Sequence, residues 1–182
     1  MKELSLYILD IVNNSTRANA TAVEIIVHEN EENDRLYINI NDNGSGIPAT
    51  ELVKVCDPYY TSRKTRKVGM GIPLLRMSAE ACEGVLSISS EVGTGTQLHV
   101  SYQLSHIDRP AMGDIAGVLY LLTTTCDNCE FNYIHHTSAG EFLYNSREVK
   151  EMMEGLPLQH PEVMKEIKRY IRDGLQQIKA RS

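Results

Sequence analysis

Three closely spaced pairs of glycines constrain the fold of this chain more than any other feature of its sequence. The pairs are Gly44 and Gly46, Gly69 and Gly71, and Gly93 and Gly95. They lie in "NGSGIP", "KVGMGIPLL" and "EVGTGTQ", each beside a segment of regular hydrophobic pattern. Glycine has no side chain, so its backbone can turn sharply and approach another group closely. The sequence therefore predicts three tight turns whose backbone is accessible to a ligand.

Hydrophobic patterning divides the first part of the chain into helices and strands. Helices repeat apolar residues every three or four positions, as Leu6, Leu9 and Val12 do, whereas strands alternate apolar with polar side chains. The polar "NEENDR" and the glycine-containing "VGTG" predict hairpin turns, so the strands should pair antiparallel. The predicted helices cover residues 4–17, 51–55 and 72–84, and the predicted strands cover residues 22–29, 35–42, 85–91 and 96–104.

A linker-like stretch, "SHIDRPAMGD", predicts a division of the chain. We expect one domain over residues 1–105 and a smaller C-terminal α/β extension over residues 106–182. The element order predicts an α/β protein of the two-layer α+β sandwich type, with helices over a mixed, mainly antiparallel sheet. In the extension we predict a helix over residues 114–124, strands over 131–137 and 141–146, and two further helices, the last amphipathic over 161–179.

Charge and composition exclude several classes of protein. The 18 basic and 24 acidic residues give a net charge of −6, which argues against general nucleic-acid binding because phosphate contacts need a basic surface. No stretch approaches the roughly 20 apolar residues that span a bilayer. The start of the chain becomes polar too early for a secretory signal. We therefore expect a cytoplasmic protein without membrane attachment, whose cysteines are reduced.

The opening helix carries a carboxylate and a carboxamide on one side. Asp10 and Asn14 are four residues apart, so their side chains share a helix face. An amide oxygen is a hard ligand suited to Mg²⁺, and a carboxylate can orient or deprotonate the group that attacks a phosphate. Taken alone, the pair is better explained as two solvated polar residues.

Two of the glycine turns offer groups that suit a nucleotide base. Asp42 ends a predicted strand just before Gly44 and Gly46, and a buried carboxylate there can accept a hydrogen bond from the amine of adenine. Thr96 follows the third glycine pair and offers a hydroxyl near the base. Ordinary hairpin turns explain either glycine pair equally well.

The glycine pair before the third predicted helix suits a polyphosphate. Gly69 and Gly71 lie where free backbone N–H groups and the helix dipole attract anions. A solvated loop is the alternative interpretation of the basic residues that precede them. Those residues are Arg63, Lys64, Arg66 and Lys67.

The four motifs, in this order, resemble the nucleotide boxes of the histidine-kinase-like (Bergerat) ATPase superfamily over residues 4–104. The resemblance implies the Bergerat fold and a site for ATP with Mg²⁺, lined also by Ile47 and Met70. "LDIVNNSTRANAT" is similar to the corresponding helix of mismatch-repair ATPases. That similarity implies that Asn14 is the magnesium ligand and that Asp10, one methylene shorter, stands at the position of their catalytic glutamate.

Two further resemblances concern the loop and the tail. "PYYTSRKTRKVGMGIPLL" resembles the lid of anti-sigma-factor serine kinases and sensor histidine kinases, which implies that Thr61, Arg63 and Lys64 approach the nucleotide. "GLPLQHPEVMKEIKRYIRDGL" resembles stand-alone ATPase-domain proteins of anaerobic bacteria encoded near iron-hydrogenase subunits. This context suggests a redox-enzyme subunit as one candidate partner.

A single C-x-x-C motif, Cys126 to Cys129, supplies half of a four-ligand zinc site or a redox pair. His135 and His136 are the nearest further ligands, but neighbouring strand residues point to opposite faces. Two ordinary thiols at a turn are the favoured interpretation, with zinc or redox chemistry as the alternative.

Three functions are consistent with these patterns: a protein kinase acting on a partner, a slow ATPase, and a nucleotide-gated binding module. We favour a regulatory role like that of the anti-sigma-factor kinases, in which nucleotide orders a lid over residues 57–69. In this hypothesis Asp10 is the base and Asn14 holds Mg²⁺. The sequence does not determine whether the chain forms a homodimer.

Overall fold

The computed structural model describes residues 3–55, 71–153 and 156–181, and it contains one six-stranded sheet. The strand order is β3-β4-β2-β1-β5-β6, and of the five pairings only that between β1 and β5 is parallel. The strands are β1 (Ala22–Asn30), β2 (Arg35–Asp42), β3 (Leu86–Glu91), β4 (Gly95–Gln103), β5 (Glu130–Thr137) and β6 (Gly140–Asn145). The mixed, mainly antiparallel sheet predicted from the sequence is confirmed.

Helices accompany the strands where the hydrophobic pattern predicts them. The helices are α1 (Leu4–Arg17), α2 (Ala49–Val55), α3 (Gly71–Glu80), α4 (Ile115–Thr125), α5 (Ser146–Met152) and α6 (Pro161–Gln177). Predicted and observed boundaries differ by a few residues, because the turns that end an element are specified by few hydrogen bonds. Among the described residues, no helix is both long enough and apolar enough to span a membrane.

One face of the sheet forms the core together with the helices. Alternate strand residues are buried, such as Ile25 in β1 and Ile38 in β2, which are at most 2% exposed. The helical side of the same core includes Ile8 of α1 and Ile167 of α6. The predicted two-layer arrangement is thereby confirmed.

The buried face of α1 is not the one that the Leu6, Leu9, Val12 pattern suggests. Leu6 is 41% exposed. A strict three-residue step drifts around a helix of 3.6 residues per turn, so it leaves the core within a few turns. The buried residues instead follow the mixed three- and four-residue spacing, at Leu4, Tyr7, Ile8, Ile11, Val12 and Ser15.

The C-terminal elements extend the same sheet. β5 pairs with β1 from Ala22 opposite Glu130 onward, and β6 pairs antiparallel with β5. α4 packs against α6 on the core side. Sheet and core thus continue past the proposed boundary at residue 105, and the division into two domains stays a prediction.

A buried polar network connects β1, β5 and the chain beyond α6. The Oε1 atom of Glu29, whose residue is 4% exposed, lies 2.9 Å from His135 Nε2 and accepts the backbone N–H of Arg181 at 2.8 Å. His135 Nδ1 lies 2.7 Å from the hydroxyl of Tyr133. The neutral Nε2–H tautomer of His135 satisfies both contacts, since it donates to Glu29 and accepts from Tyr133. Burial raises the pKa of Tyr133, so this hydroxyl remains a donor.

Replacing Glu29 with alanine is expected to lower the free energy of unfolding by about 1–3 kcal/mol, because the buried ring N–H of His135 and the part-buried backbone N–H of Arg181 lose their acceptor. Urea unfolding followed by circular dichroism measures the change. Glu31→Ala is the matched control, since Glu31 pairs with the same arginine at the surface and is 52% exposed. Equal losses in the two variants would contradict the importance of the buried network.

Candidate functional site

The carboxylate of Asp42 lies at the end of β2, where three donors fix its orientation. Oδ1 accepts the backbone N–H of Gly44 at 2.9 Å and of Thr96 at 3.2 Å. Oδ2 accepts the hydroxyl of Ser15 at 2.6 Å. A carboxylate oxygen has two lone pairs, so Oδ2 retains one for a further donor. Asp42 is half-buried rather than buried as predicted.

Ser90 joins the first glycine turn to the third. Its hydroxyl accepts the backbone N–H of Ile47 at 2.8 Å, donates to the carbonyl of Gly95 at 2.8 Å and lies 2.9 Å from the hydroxyl of Thr96. Asp42, Ile47 and Thr96 are thus brought together, as the sequence interpretation requires. The sequence analysis missed Ser90, although a residue opposite Thr96 in a predicted hairpin was a signal for it.

Sequence reasoning also missed Ser15. This residue is 4% exposed, and its hydroxyl lies 3.4 Å from the carbonyl of Ile11 in the preceding helical turn. Its position directly after Asn14, on a predicted amphipathic helix, was the available signal. Through Ser15, α1 positions the carboxylate at the end of β2.

Two glycines in these turns are required by their surroundings. Gly46 has φ +70°, and a Cβ there would lie 2.1 Å from the carbonyl oxygen of Glu91. Gly95 has φ +132°, and a Cβ there would lie 1.9 Å from the carbonyl oxygen of Asp42. Both conformations are unfavourable for residues with side chains. At these two turns glycine allows two backbone segments of the protein itself to approach closely, and access of a ligand to that backbone stays a prediction.

Asp10 reaches from α1 to the start of α3. A Cβ on Gly71, the first residue of α3, would lie 1.8 Å from Asp10 Oδ2, so glycine leaves room for this carboxylate. Asn14 is half-buried one turn further along α1, and its side-chain oxygen lies 3.5 Å from a guanidinium nitrogen of Arg17. Oxygen atoms of this kind are hard ligands, which is the chemistry that Mg²⁺ requires. The free backbone N–H groups at the start of α3 give that end of the helix a partial positive charge.

The remaining predicted contacts to nucleotide lie outside the described residues. They are Thr61, Arg63, Lys64, Gly69 and Met70, together with the whole of the predicted lid over residues 57–69. Their roles stay predictions.

The C-x-x-C motif lies at the same end of the sheet as Asp42. Glu130, which follows Cys129, donates its backbone N–H to the carbonyl of Thr21 at 2.9 Å, and Thr21 in turn bonds to Asn43. Burial raises the pKa of the Cys129 thiol to about 11. Within residues 3–55, 71–153 and 156–181, no cluster of three or more His, Cys, Asp or Glu side chains suits a metal ion.

The two histidines considered as zinc ligands have other partners. His135 belongs to the buried network with Glu29, and His136 Nδ1 lies 3.0 Å from Glu141 on the other face of the sheet. The described residues therefore give no support to the zinc interpretation of Cys126 and Cys129.

Alkylation should distinguish the two thiols of the motif. The thiolate is the reactive form, and Cys129 is 6% exposed with a raised pKa, whereas Cys126 is half-buried. We expect iodoacetamide at pH 8 to modify Cys126 at least about tenfold faster than Cys129. Peptide mapping by mass spectrometry measures both rates, with Cys126→Ser and Cys129→Ser as controls. Faster modification of Cys129 would contradict this description of the motif.

Comparison with known proteins identifies relatives among bacterial sensor kinases. The chain is 28% identical over 116 residues to the sensor histidine kinase RcsC of Escherichia coli (strain K12), covering 59% of this chain and 12% of RcsC. It is 32% identical over 75 residues to YxdK of Bacillus subtilis (strain 168), covering 39% of this chain and 23% of YxdK. It is 34% identical over 91 residues to WalK of Staphylococcus haemolyticus (strain JCSC1435), covering 47% of this chain and 15% of WalK. The chain thus spans less than a quarter of each relative.

A solved structure and a family model agree with these relatives. The N-terminal domain of a DNA repair protein superposes with a TM-score of 0.57 at 16% identity, covering 87% of this chain and 59% of that chain, which shows a shared fold. The predicted Bergerat architecture is confirmed. The family described as histidine kinase-, DNA gyrase B- and HSP90-like ATPases matches residues 2–106, a range that contains Asp10, Asn14, Asp42 and Thr96. The chain therefore belongs to the histidine kinase-, DNA gyrase B- and HSP90-like ATPase family.

Proposed function

We propose that the protein binds ATP with Mg²⁺ and acts as a regulatory phosphotransferase on a partner protein. The observation that carries the proposal is the Asp42 carboxylate, which three donors orient so that one acceptor lone pair stays available beside Thr96. Membership of the ATPase family and the sensor-kinase relatives support it.

Asp42 would select adenine. The remaining Oδ2 lone pair would accept a hydrogen bond from the exocyclic amine, whereas the carbonyl that guanine and hypoxanthine carry at that position would face an oxygen and be repelled. The Ser15 hydroxyl holds Oδ2 in place, so the preference does not depend on a mobile side chain.

Asn14 and Asp10 would serve the phosphate end of the nucleotide. The side-chain oxygen of Asn14 would hold Mg²⁺, which supplies positive charge to the phosphate oxygens when it is bound. Asp10 would accept the proton of the attacking hydroxyl, and its position against the start of α3 brings that base near the helix end that favours phosphate. Nucleotide would order the segment of residues 57–69 and thereby control the partner interaction.

A slow ATPase is the second candidate, because a carboxylate at the Asp10 position can activate water as well as a hydroxyl. Calorimetric titration with ATP, ADP and a non-hydrolysable ATP analogue, with and without Mg²⁺, tests binding. Phosphate release is then measured in the same samples. Binding without appreciable release supports the phosphotransferase, steady release supports the ATPase, and no binding contradicts both.

Asp42→Asn is expected to weaken ATP binding at least about tenfold, because an amide N–H₂ replaces the acceptor that faces adenine. The asparagine oxygen can keep the bonds from Gly44 and Thr96, so the fold should persist. The variant should lose less affinity for inosine triphosphate than for ATP, so the ratio of the two affinities should fall. Calorimetry measures both affinities. Asp173→Asn on α6, at an exposed carboxylate, is the control, and unchanged ATP affinity in Asp42→Asn would show that adenine binds elsewhere.

Asp10→Asn tests the proposed base. The replacement has the same size, so it fits against Gly71, and ATP affinity should change less than about threefold. Transfer or release of the γ-phosphate should fall about 100-fold or more, which is the usual contribution of a general base. Single-turnover assays with γ-labelled ATP measure both products. Full activity in the variant would contradict the assignment of Asp10 as the general base.

A further inference from the structure

The side chains of Asp42, Thr96 and Ser90 lie in one row across three neighbouring strands. Asp42 of β2 is opposite Thr96 of β4, and Thr96 is opposite Ser90 of β3. Residues two apart in a strand share a face, and the next residues on this side, Ile40 and Leu98, belong to the core that the helices cover. Side chains directly opposite one another on one face are in contact range. A group bound beside Asp42 therefore also lies beside Thr96.

The hydroxyl of Ser90 is the centre of three short contacts. It lies 2.8 Å from the backbone nitrogen of Ile47, 2.8 Å from the carbonyl oxygen of Gly95 and 2.9 Å from the hydroxyl oxygen of Thr96. A serine hydroxyl has one proton to donate and two lone pairs that accept. The three contacts therefore use its whole hydrogen-bonding capacity.

One arrangement of protons makes all three contacts hydrogen bonds. The backbone N–H of Ile47 only donates, so it takes one lone pair of Ser90. The carbonyl of Gly95 only accepts, so it takes the proton of Ser90. The second lone pair of Ser90 must then accept, which makes Thr96 the donor. The reverse direction would leave the oxygens of Ser90 and Gly95 facing each other with no proton between them.

This arrangement determines what the Thr96 hydroxyl offers to a ligand. Its proton is committed to Ser90, so its lone pairs can only accept. Within residues 3–55, 71–153 and 156–181, no other side chain is hydrogen-bonded to that hydroxyl. The ionised carboxylate of Asp42 is an acceptor as well. The row therefore presents two neighbouring acceptors to a group bound beside it.

We propose that Ser90 is a positioning residue that sets the base specificity of the nucleotide site by fixing Thr96 as an acceptor. The inference rests on the proposed ATP function, in which the purine lies beside Asp42. An exocyclic amine carries two N–H groups, which suit two neighbouring acceptors. A carbonyl at the same place, as in guanine and hypoxanthine, meets two oxygens and no proton. In this role Ser90 acts through Thr96 and need not contact the nucleotide.

Replacing Ser90 with alanine tests the role of its hydroxyl. Thr96 then loses its fixed partner and can turn its proton toward the base, since a water in place of the hydroxyl can either donate or accept. A base carbonyl gains a donor, whereas an amine keeps Asp42 as acceptor. We expect the dissociation constant for inosine triphosphate, divided by that for ATP, to fall about three- to tenfold, the range of one hydrogen bond. Calorimetry in the presence of Mg²⁺ measures both constants.

The ratio of the two constants separates this role from a purely structural one. Ser90 also holds the backbone of Ile47 and Gly95, so its loss can weaken binding of both nucleotides by a common factor, which leaves the ratio unchanged. Ser90→Thr keeps the hydroxyl and should keep the ratio of the unmodified chain, since threonine is favoured in strands. Ser89→Ala is the matched control, because Ser89 is exposed on the other face of β3, and it should change neither constant.

A double-variant cycle shows whether Ser90 acts through Thr96. Thr96→Val has a similar shape but no hydroxyl, and it should lower the ratio by itself because the second acceptor is lost. Adding Ser90→Ala to Thr96→Val should change the ratio no further. An unchanged ratio in Ser90→Ala, or a change that persists in the Thr96→Val background, would overturn the inference and leave the proposed ATP binding intact. If the unmodified chain binds no ATP, the proposed function fails and the inference fails with it.

Discussion

The hydrogen bonds to Asp42 join three segments that are distant in the sequence. One oxygen holds the turn at Gly44 and the start of β4 at Thr96, and the other holds α1 through Ser15. Asp42 therefore connects α1, the end of β2 and the β3–β4 hairpin through direct hydrogen bonds. A carboxylate serves this purpose because it accepts from several donors at once without offering one of its own. A ligand that binds Asp42 therefore contacts a carboxylate whose orientation is already fixed by the protein.

Much of this arrangement follows from local patterns. Period-two alternation locates the strands, and helical repeats locate α1, α3 and α6, because burial on one side must follow the geometry of each element. The glycines at residues 46 and 95 mark turns where a side chain would strike a backbone carbonyl. Those signals were sufficient to predict the mixed sheet, whereas the grouping of Asp42, Ile47 and Thr96 was predicted from the resemblance to the nucleotide boxes.

Other features depend on contacts that no local pattern specifies. Ser15 and Ser90 are small polar residues of a type that is common at any surface, and only the folded register brings them to Asp42 and Thr96. The partnership of Glu29 with His135 spans 106 residues, and an alternating strand pattern gives no reason to bury a glutamate. For α1, the pattern identified the helix but not the orientation of its apolar face, because Leu6 has the right residue type on the exposed side.

The parallel pairing of β1 with β5 affects how the chain can reach this fold. β1 and β2 are joined by a short turn, whereas β5 begins at Glu130, far along the chain from Ala22, its partner in β1. Because the entropy lost on closing a loop increases with loop length, the hairpin should form well before β5 arrives. During that interval the other edge of β1 has unpaired backbone groups beside apolar side chains, which other unfolded chains can bind. The rate at which β5 pairs with β1 therefore influences what fraction of the chains fold and what fraction aggregate.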